Sequence, residues 1–333
     1  MKAVFFESPD SPCVIKETFR PEPNEGEVLV RVKATSLNRR DYWIKKGIYQ
    51  GSVYPCIAGS DASGIVEAAG PGTDENLVGK EVIVNPAINW GSNPEYHSDQ
   101  FEILGLPRQG TFAEYICVPA ANIFEKPSSW SFEKASAFPL AGLTAYRALF
   151  TRGGLRKGDN ILVTGIGGGV SMFLLRFALA AEAKVYVTSS SEKKIKKAIQ
   201  EGAVNGVLYT ENGWDKQLME MSGNGFELIV DSAAGENFST LLSLIKVGGK
   251  IVNFGGTAGK IPAITAAKIF WKQASILGTT MGSPEDFSNM MDFVVTHNIE
   301  PGIDKIFPME DAELAFKLLE NHEQNGKVVI KIN

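Results

Sequence analysis

Three cysteines (Cys13, Cys56, Cys117) and three histidines (His97, His297, His322) are scattered along 333 residues, and no two cysteines stand in a CxxC spacing. A four-cysteine zinc lobe therefore has no ligands. No histidine falls near a nucleophile motif, so neither a Ser-His-Asp nor a Cys-His arrangement is supported. The chemistry instead gathers at Gly165-Ile166-Gly167-Gly168-Gly169-Val170-Ser171, which follows the strand-like run 161–164 and opens a helix-like stretch. Glycines there let the backbone turn tightly and approach a pyrophosphate. The helix that follows offers unpaired N–H groups and a positive dipole end. The strand before, the helix after and the next strand "KVYVT" supply the context that such a loop requires. Ser171 stands where the last glycine of the usual pattern would be, and it is small enough to keep helix and strand close.

The next strand ends in "VTSSSEKK", residues 187–194. A dinucleotide with a free 2′-hydroxyl on its adenosine ribose asks for an Asp or Glu at this edge. Here Ser189, Ser190 and Ser191 are followed by Lys193 and Lys194. Hydroxyls donate to a 2′-phosphate and an ammonium pairs with it, whereas an acid at position 189 would repel it. NADPH/NADP is therefore the expected cofactor, with Lys194 facing the phosphate and Lys196 and Lys197 on a solvated helix face.

Elements of two kinds must position these groups. Residues 1 to about 120 are rich in short strands: "EVLVRVKATSL" alternates around Val28, Val30 and Val32, and "GSDASGIVEAAG" and "GKEVIV" are runs of small and β-branched residues bounded by glycine. Residues 95–110 read as an irregular excursion. From about 130 the pattern changes to a helix or helix pair, "SFEKASAFPLAGLTAYRALF". Six strand-like runs follow, alternating with helical or loop stretches: "NILVTG", "KVYVTS", "GVLYT", "FELIVDS", "GKIVNFGG" and "SILGTT". That alternation predicts parallel βαβ units buried on both faces. "SPEDFSNMMDFVVTHN" starts as a helix should, with Ser283, Pro284 and acids behind them. The tail predicts a helix stopped by Gly326, then a strand.

The formal net charge of −5 is mildly acidic and of mixed sign, which argues against a nucleic-acid binder. No apolar run approaches the roughly 20 residues of a membrane span, and the N-terminus turns polar too soon for a signal segment. With few, odd cysteines, the expectation is a cytoplasmic protein with no membrane or nucleic-acid partner.

Seven stretches in order, "SLNRRDYWIKKGIY", "GSDASGIVEAAGPGT", "GKEVIVNP", "QGTFAEYICVP", "AFPLAGLTAYRALF", "VTGIGGGVS" and "NGKVVIKI", make the chain resemble the medium-chain dehydrogenase/reductase superfamily over nearly its whole length. It is most similar to the zinc-independent quinone oxidoreductase branch and its zinc-type alcohol-dehydrogenase-like relatives. The resemblance implies an α/β chain: a β-rich GroES-like catalytic domain, residues 1–123 completed by 297–333, and a doubly wound Rossmann NADP-binding domain, residues 124–296, with a cleft between them. It also implies that zinc-dependent members carry a Cys where Asn38 stands, His-Glu where Ser60-Asp61 stand, and a third ligand where Leu140 stands. These are poor or impossible zinc ligands. The 89–108 excursion corresponds to the structural-zinc lobe and contains no Cys, so no metal site is expected there or elsewhere.

Without zinc, an unactivated alcohol lacks the Lewis acid that would hold its alkoxide. The reaction expected is hydride transfer from NADPH to an acceptor that is already electrophilic, a small apolar quinone or enone. Its anion would be stabilised by hydrogen-bond donors. The donor candidates are Asn38, Arg40, Tyr42 and Tyr49, and by resemblance Asn38 and Asp41 match polar positions that line the site in the quinone reductase branch; Arg40 either holds a developing oxyanion or pairs with Asp41 or Asp61. By resemblance, Thr144 sits beside the nicotinamide, Tyr209 packs near the adenine-ribose, and Asn253, Phe254 and Gly255 end the fifth strand at the ligand-binding edge. Trp43, Tyr49, Tyr54, Trp90 and Trp271 are candidates for an aromatic lining. Relatives commonly pair edge to edge through the Rossmann sheet, so "SILGTT" is the expected seam of a homodimer or tetramer. The alternatives are an NADP-linked alcohol or aldehyde dehydrogenase-like enzyme and a non-catalytic NADPH-binding sensor.

Overall fold

The computed structural model describes residues 1–332. In chain order the strands are β1 (Lys2–Phe5), β2 (Val14–Glu17), β3 (Glu27–Ser36), β4 (Asp61–Ala69), β5 (Glu81–Val84), β6 (Ala87–Ile88), β7 (Glu102–Ile103), β8 (Tyr115–Pro119) and β9 (Ile123–Glu125). They continue with β10 (Asn160–Val163), β11 (Lys184–Ser189), β12 (Asn205–Leu208), β13 (Phe226–Asp231), β14 (Ile245–Asn253), β15 (Ser275–Gly278), β16 (Ile303–Pro308) and β17 (Lys327–Lys331). The helices are α1 (Arg39–Lys45), α2 (Phe132–Ser136), α3 (Pro139–Tyr146), α4 (Gly169–Ala180), α5 (Glu192–Gln200), α6 (Trp214–Ser222), α7 (Phe238–Leu244), α8 (Ala267–Phe270), α9 (Pro284–Thr296) and α10 (Ala312–Glu320).

Two compact units emerge. One joins residues 1–141 to the segment from Gly282 onward, and the other is 142–281. These limits differ from the expected 123/124 and 296/297, because the flanking segments belong to the first unit by contact. β9 pairs with β5, α2 packs on β3 and β4, and the Phe124 ring lies 4.5 Å from that of Phe287 on α9.

The first unit is built on a sheet of order β16-β17-β3-β4-β5-β9, with β8 paired to β3 as well. The alternation read from "EVLVRVKATSL" is real: Val28, Val30 and Val32 are buried on β3, in one core with Phe6, Phe112 and Phe316. Phe316 of α10 meets Phe6 edge-on at 5.4 Å, so the C-terminal helix closes the N-terminal core. In the 89–108 excursion, the short β6–β7 ladder leads into irregular chain held by its own aromatics. Trp90 is buried, and the His97 ring stacks on Phe101 at 4.6 Å.

The second unit is a six-stranded sheet of order β12-β11-β10-β13-β14-β15, parallel throughout. Its central strands are apolar on both faces, with Ile161, Leu162, Val163, Leu228, Ile229 and Val230 all buried, as helices on both sides require. This is the doubly wound dinucleotide order, and the strand sequence reverses between β10 and β13, the topological switch point.

Two helix ends show how local chemistry sets boundaries. α9 begins where the sequence expects a helix start, and it does so with a capping box: Ser283 Oγ accepts from the Asp286 N–H at 3.0 Å, and Asp286 Oδ2 accepts from the Ser283 N–H at 2.9 Å. The tail departs from expectation. α10 ends at Glu320, not at Gly326, and His322 takes up the left-handed turn at φ 57°. Gly326, at φ 130°, instead leads into β17, where a Cβ would lie 2.8 Å from Gly302 O. Among the described residues, no helix is long and apolar enough to cross a membrane.

Candidate active site

In the second unit, β10 delivers the chain to the glycine loop at the switch point. Gly165 (φ 65°) and Gly167 (φ 109°) adopt left-handed conformations that a side chain would oppose, and Gly168 caps α4. Ser171, in the last glycine's place, donates its hydroxyl to Gly165 O (3.1 Å) and Gly168 O (3.0 Å). The loop is tied to β11 by the Ile166 N–H on Thr188 O at 2.8 Å. With Gly169 and Val170 opening α4, the turn fits a pyrophosphate at a helix N-terminus.

Lys194 crosses this loop. A Cβ built on Gly167 would stand 2.5 Å from Lys194 Cδ, so the lysine stem lies over the glycine backbone. Ser189 is buried. Its Oγ accepts from the Ser191 N–H at 3.1 Å and points to Ile166 O at 3.5 Å, so its hydroxyl serves the loop. Ser190 is exposed. Tyr209 follows β12, joins its N–H to Ser189 O at 3.1 Å, and leaves its ring partly open to solvent. Thr144 is buried on α3.

Sequence reasoning passed over Asp231, the buried last residue of β13. It accepts from Thr164 Oγ1 (2.7 Å), the Ala234 N–H (2.8 Å) and Asn253 Nδ2 (2.9 Å). Asn253 Nδ2 also donates to Gly255 O at 2.9 Å, and the Phe254 N–H donates to Asp231 O at 3.0 Å. Asn253, Phe254 and Gly255 thus stand at the end of β14, the expected strand end, with the Asn253 amide spent on clamping the ends of β13 and β14. An acid ending the apolar run "FELIVDS" was the available signal.

In the first unit, the positions that the resemblance reserves for zinc ligands come together. Asp61 is fully buried. Its Oδ2 accepts from Ser36 Oγ (2.8 Å), Asn38 Nδ2 (2.8 Å) and Lys327 Nζ (2.9 Å), and its Oδ1 from the Leu140 N–H (2.7 Å). Lys327 Nζ also donates to Asn38 Oδ1 at 2.6 Å and Leu37 O at 2.9 Å. Ser60 Oγ donates to Leu104 O at 2.7 Å. The donors at these positions are a carboxamide, a hydroxyl and a carboxylate already bound to an ammonium, while Leu140 offers only a backbone N–H. That set does not fit zinc. Among the described residues, no group of three or more His, Cys, Asp or Glu could hold a metal ion.

α1 sets the remaining candidates beside this cluster. Asn38 precedes the helix, and its N–H donates to Asp41 Oδ2 at 2.7 Å. Arg40 pairs with neither Asp41 nor Asp61: its Nη1 donates to Ser60 Oγ (2.7 Å) and Leu104 O (2.8 Å). The guanidinium lies 5.0 Å from the Tyr49 ring centre. Two buried atoms here have no hydrogen-bond partner, Arg40 Nε and Asp41 Oδ1, a donor and an acceptor left free next to one another in sequence. Burial pushes the Asp41 carboxyl up to about 6, opposed by the Arg40 charge.

Other candidates fall elsewhere. Tyr42 donates to Glu320 at 3.4 Å. Tyr54 donates its hydroxyl to Ile44 O, Trp90 belongs to the 89–108 loop, and Trp271 is exposed on the second unit. The thiols of Cys56 and Cys117 are pushed up to about 11, mainly by burial, and that of Cys13 is raised by burial and Glu313. They are poor nucleophiles.

The family profile "Alcohol dehydrogenase GroES-like domain" matches residues 24–128, and "Zinc-binding dehydrogenase" matches 169–296. The chain is 34% identical to the zinc-type alcohol dehydrogenase-like protein YogA of Leptosphaeria maculans, over 96% of this chain and 95% of that one. It is 28% identical to an acryloyl-coenzyme A reductase of Sulfurisphaera tokodaii, over 99% and 100%, and 27% identical to human quinone oxidoreductase, over 93% and 90%. A crystal structure titled as an NAD-dependent alcohol dehydrogenase superposes with a TM-score of 0.94 at 34% identity, covering both chains completely. The chain belongs to the medium-chain dehydrogenase/reductase superfamily, and it is an oxidoreductase of that family.

Proposed function

We propose that this oxidoreductase uses NADPH to reduce a quinone or an α,β-unsaturated carbonyl without catalytic zinc. The observation that carries the reading is the donor set at Asn38, Ser60-Asp61 and Leu140, which offers no site for a Lewis acid that would hold an alkoxide. An acceptor that is already electrophilic needs only hydrogen-bond donors and one proton. Two relatives, a quinone oxidoreductase and an acryloyl-coenzyme A reductase, are named for acceptors of that kind.

Bound at the glycine loop, the cofactor would supply the hydride. Gly165, Gly167, Gly168, Gly169 and Val170 would hold its pyrophosphate. Ser190 and Lys194 would bind the 2′-phosphate, and Ser189 would contribute by not being an acid. Thr144, Tyr209, Asn253, Phe254 and Gly255 would complete the binding edge. Asp41 holds the proton: its unpartnered Oδ1 and raised carboxyl suit it to protonate the anion that the substrate becomes. Arg40 steadies that anion through its free Nε, Asn38 fixes Asp41, and Tyr49 backs the guanidinium.

The partners follow: a small apolar acceptor, no nucleic acid, no membrane, and a second copy of the chain through the edge of β15. All three cysteines are free, which suits the reducing cytoplasm. The structure titled as an NAD-dependent alcohol dehydrogenase favours a second reading, oxidation of an alcohol. Following NADPH oxidation against quinones, enones and aldehydes, and NADP reduction against alcohols, separates the two. Turnover of quinones or enones is expected. Turnover of alcohols alone overturns the proposal, and no turnover at all leaves the non-catalytic NADPH sensor.

A further inference from the structure

Lys327 plays no part in the reaction just described, yet it sits at the centre of the Asn38–Asp61 cluster. Its side chain is 3% exposed and that of Asp61 0%. All three ammonium protons are used, on Leu37 O, Asn38 Oδ1 and Asp61 Oδ2. The backbone that carries the lysine is anchored: it opens β17 in register with Ile303, and its N–H is bound to Gly302 O at 2.9 Å. We propose that the Lys327 ammonium is the resident cation of this site: it holds the Asn38 and Asp61 side chains in one arrangement and closes their oxygens to a divalent metal.

A metal on Asp61 Oδ2 and Asn38 Oδ1 would have to displace two ammonium contacts and then sit beside the displaced charge in a buried place. There, like charges repel far more strongly than in water. Without the ammonium, the Asp61 carboxylate would be a buried charge seeking a cation. Lys327 is thus a positioning residue that decides which cation the site accepts. This inference does not depend on the identity of the substrate.

The test reads zinc affinity, which a packing role alone would not move. Asn38→Cys and Ser60→His, made together, place a thiolate and an imidazole at two of the positions. Zinc binding is then measured by competition with a chromogenic chelator, with Lys327 retained and with Lys327→Gln added. The variant lacking the ammonium is expected to bind zinc at least about tenfold more tightly. Equal affinity overturns the proposal, as does stoichiometric zinc in the parent protein with Lys327 in place. A thermal-melting cycle on Lys327→Gln, Asp61→Asn and the two together supplies the second measurement. The neutral double variant is expected to recover most of the stability, or the folding, lost by Lys327→Gln alone. Failure to recover overturns the ion-pair role.

Discussion

Asp41 carries the sharpest consequence at the scale of single residues. Its carboxyl is raised from the ordinary value of 3.8 to about 6, so the folded chain binds the extra proton between those limits. Stability attributable to this group therefore falls as pH rises from about 4 to 6, and the cost of the buried charge is complete above that. Asp41→Asn keeps an oxygen for the Asn38 N–H and removes the charge. It is expected to raise unfolding free energy by up to about 3 kcal/mol above pH 7 and by little near pH 4, measured by urea unfolding at both. The same change is expected to lower kcat against an enone by about tenfold to a hundredfold, because the proton donor is gone; unchanged kcat would remove Asp41 from the chemistry. At the ribose edge, Ser189→Asp with Lys194→Ala is expected to raise the NADPH KM at least about tenfold while sparing NADH, and equal use of both cofactors by the parent would defeat the serine-lysine reading. Asn38, Arg40, Asp41 and the glycine loop stood out as candidates because they fall inside local motifs. Lys327 did not. It meets Asp61 across 266 residues, and in the sequence it is only the lysine that opens an apolar strand.

Elements were legible where chemistry is local and obscure where it is not. The six parallel strands, the loop and the start of α9 follow from periodicity and cap residues. The end of α10 does not, since a glycine signal at Gly326 belongs to the strand that follows it. The π-helical turn at Arg147–Arg152 that continues α3 has no sequence signature of its own. Two substitutions separate positioning elements from binding elements. Gly167→Ala forces a side chain into φ 109° and into the Lys194 stem. It is expected to cost about 1–3 kcal/mol of stability and to weaken NADPH binding more than tenfold, read by cofactor fluorescence. Ser283→Ala removes the α9 cap and is expected to cost about 1 kcal/mol with NADPH affinity untouched. A loss of affinity there would mean that α9 does more than frame the first unit.

At the scale of the molecule, the six-stranded sheet ends in an open edge. β15 pairs with β14 on one side alone, and its outer N–H and C=O groups invite another strand. Ile276 on that strand is 40% exposed, and Phe270 and Trp271 just before it are 60% and 77% exposed, an apolar neighbourhood unlike the charged or bulged edges of strands that stay single. The strand "SILG" itself contains neither a charged residue nor a proline to blunt the edge. Two copies meeting there about a two-fold axis would continue the sheet and bury the same side chains from both sides, the isologous contact that a homodimer requires. Sedimentation velocity is expected to give about 72 kDa for the parent, twice the 36.1 kDa chain. Ile276→Lys with Trp271→Glu is expected to shift it to the single-chain mass with NADPH still bound. A parent that sediments as a single chain, or a dimer that survives both charges, would place the subunit contact on another face.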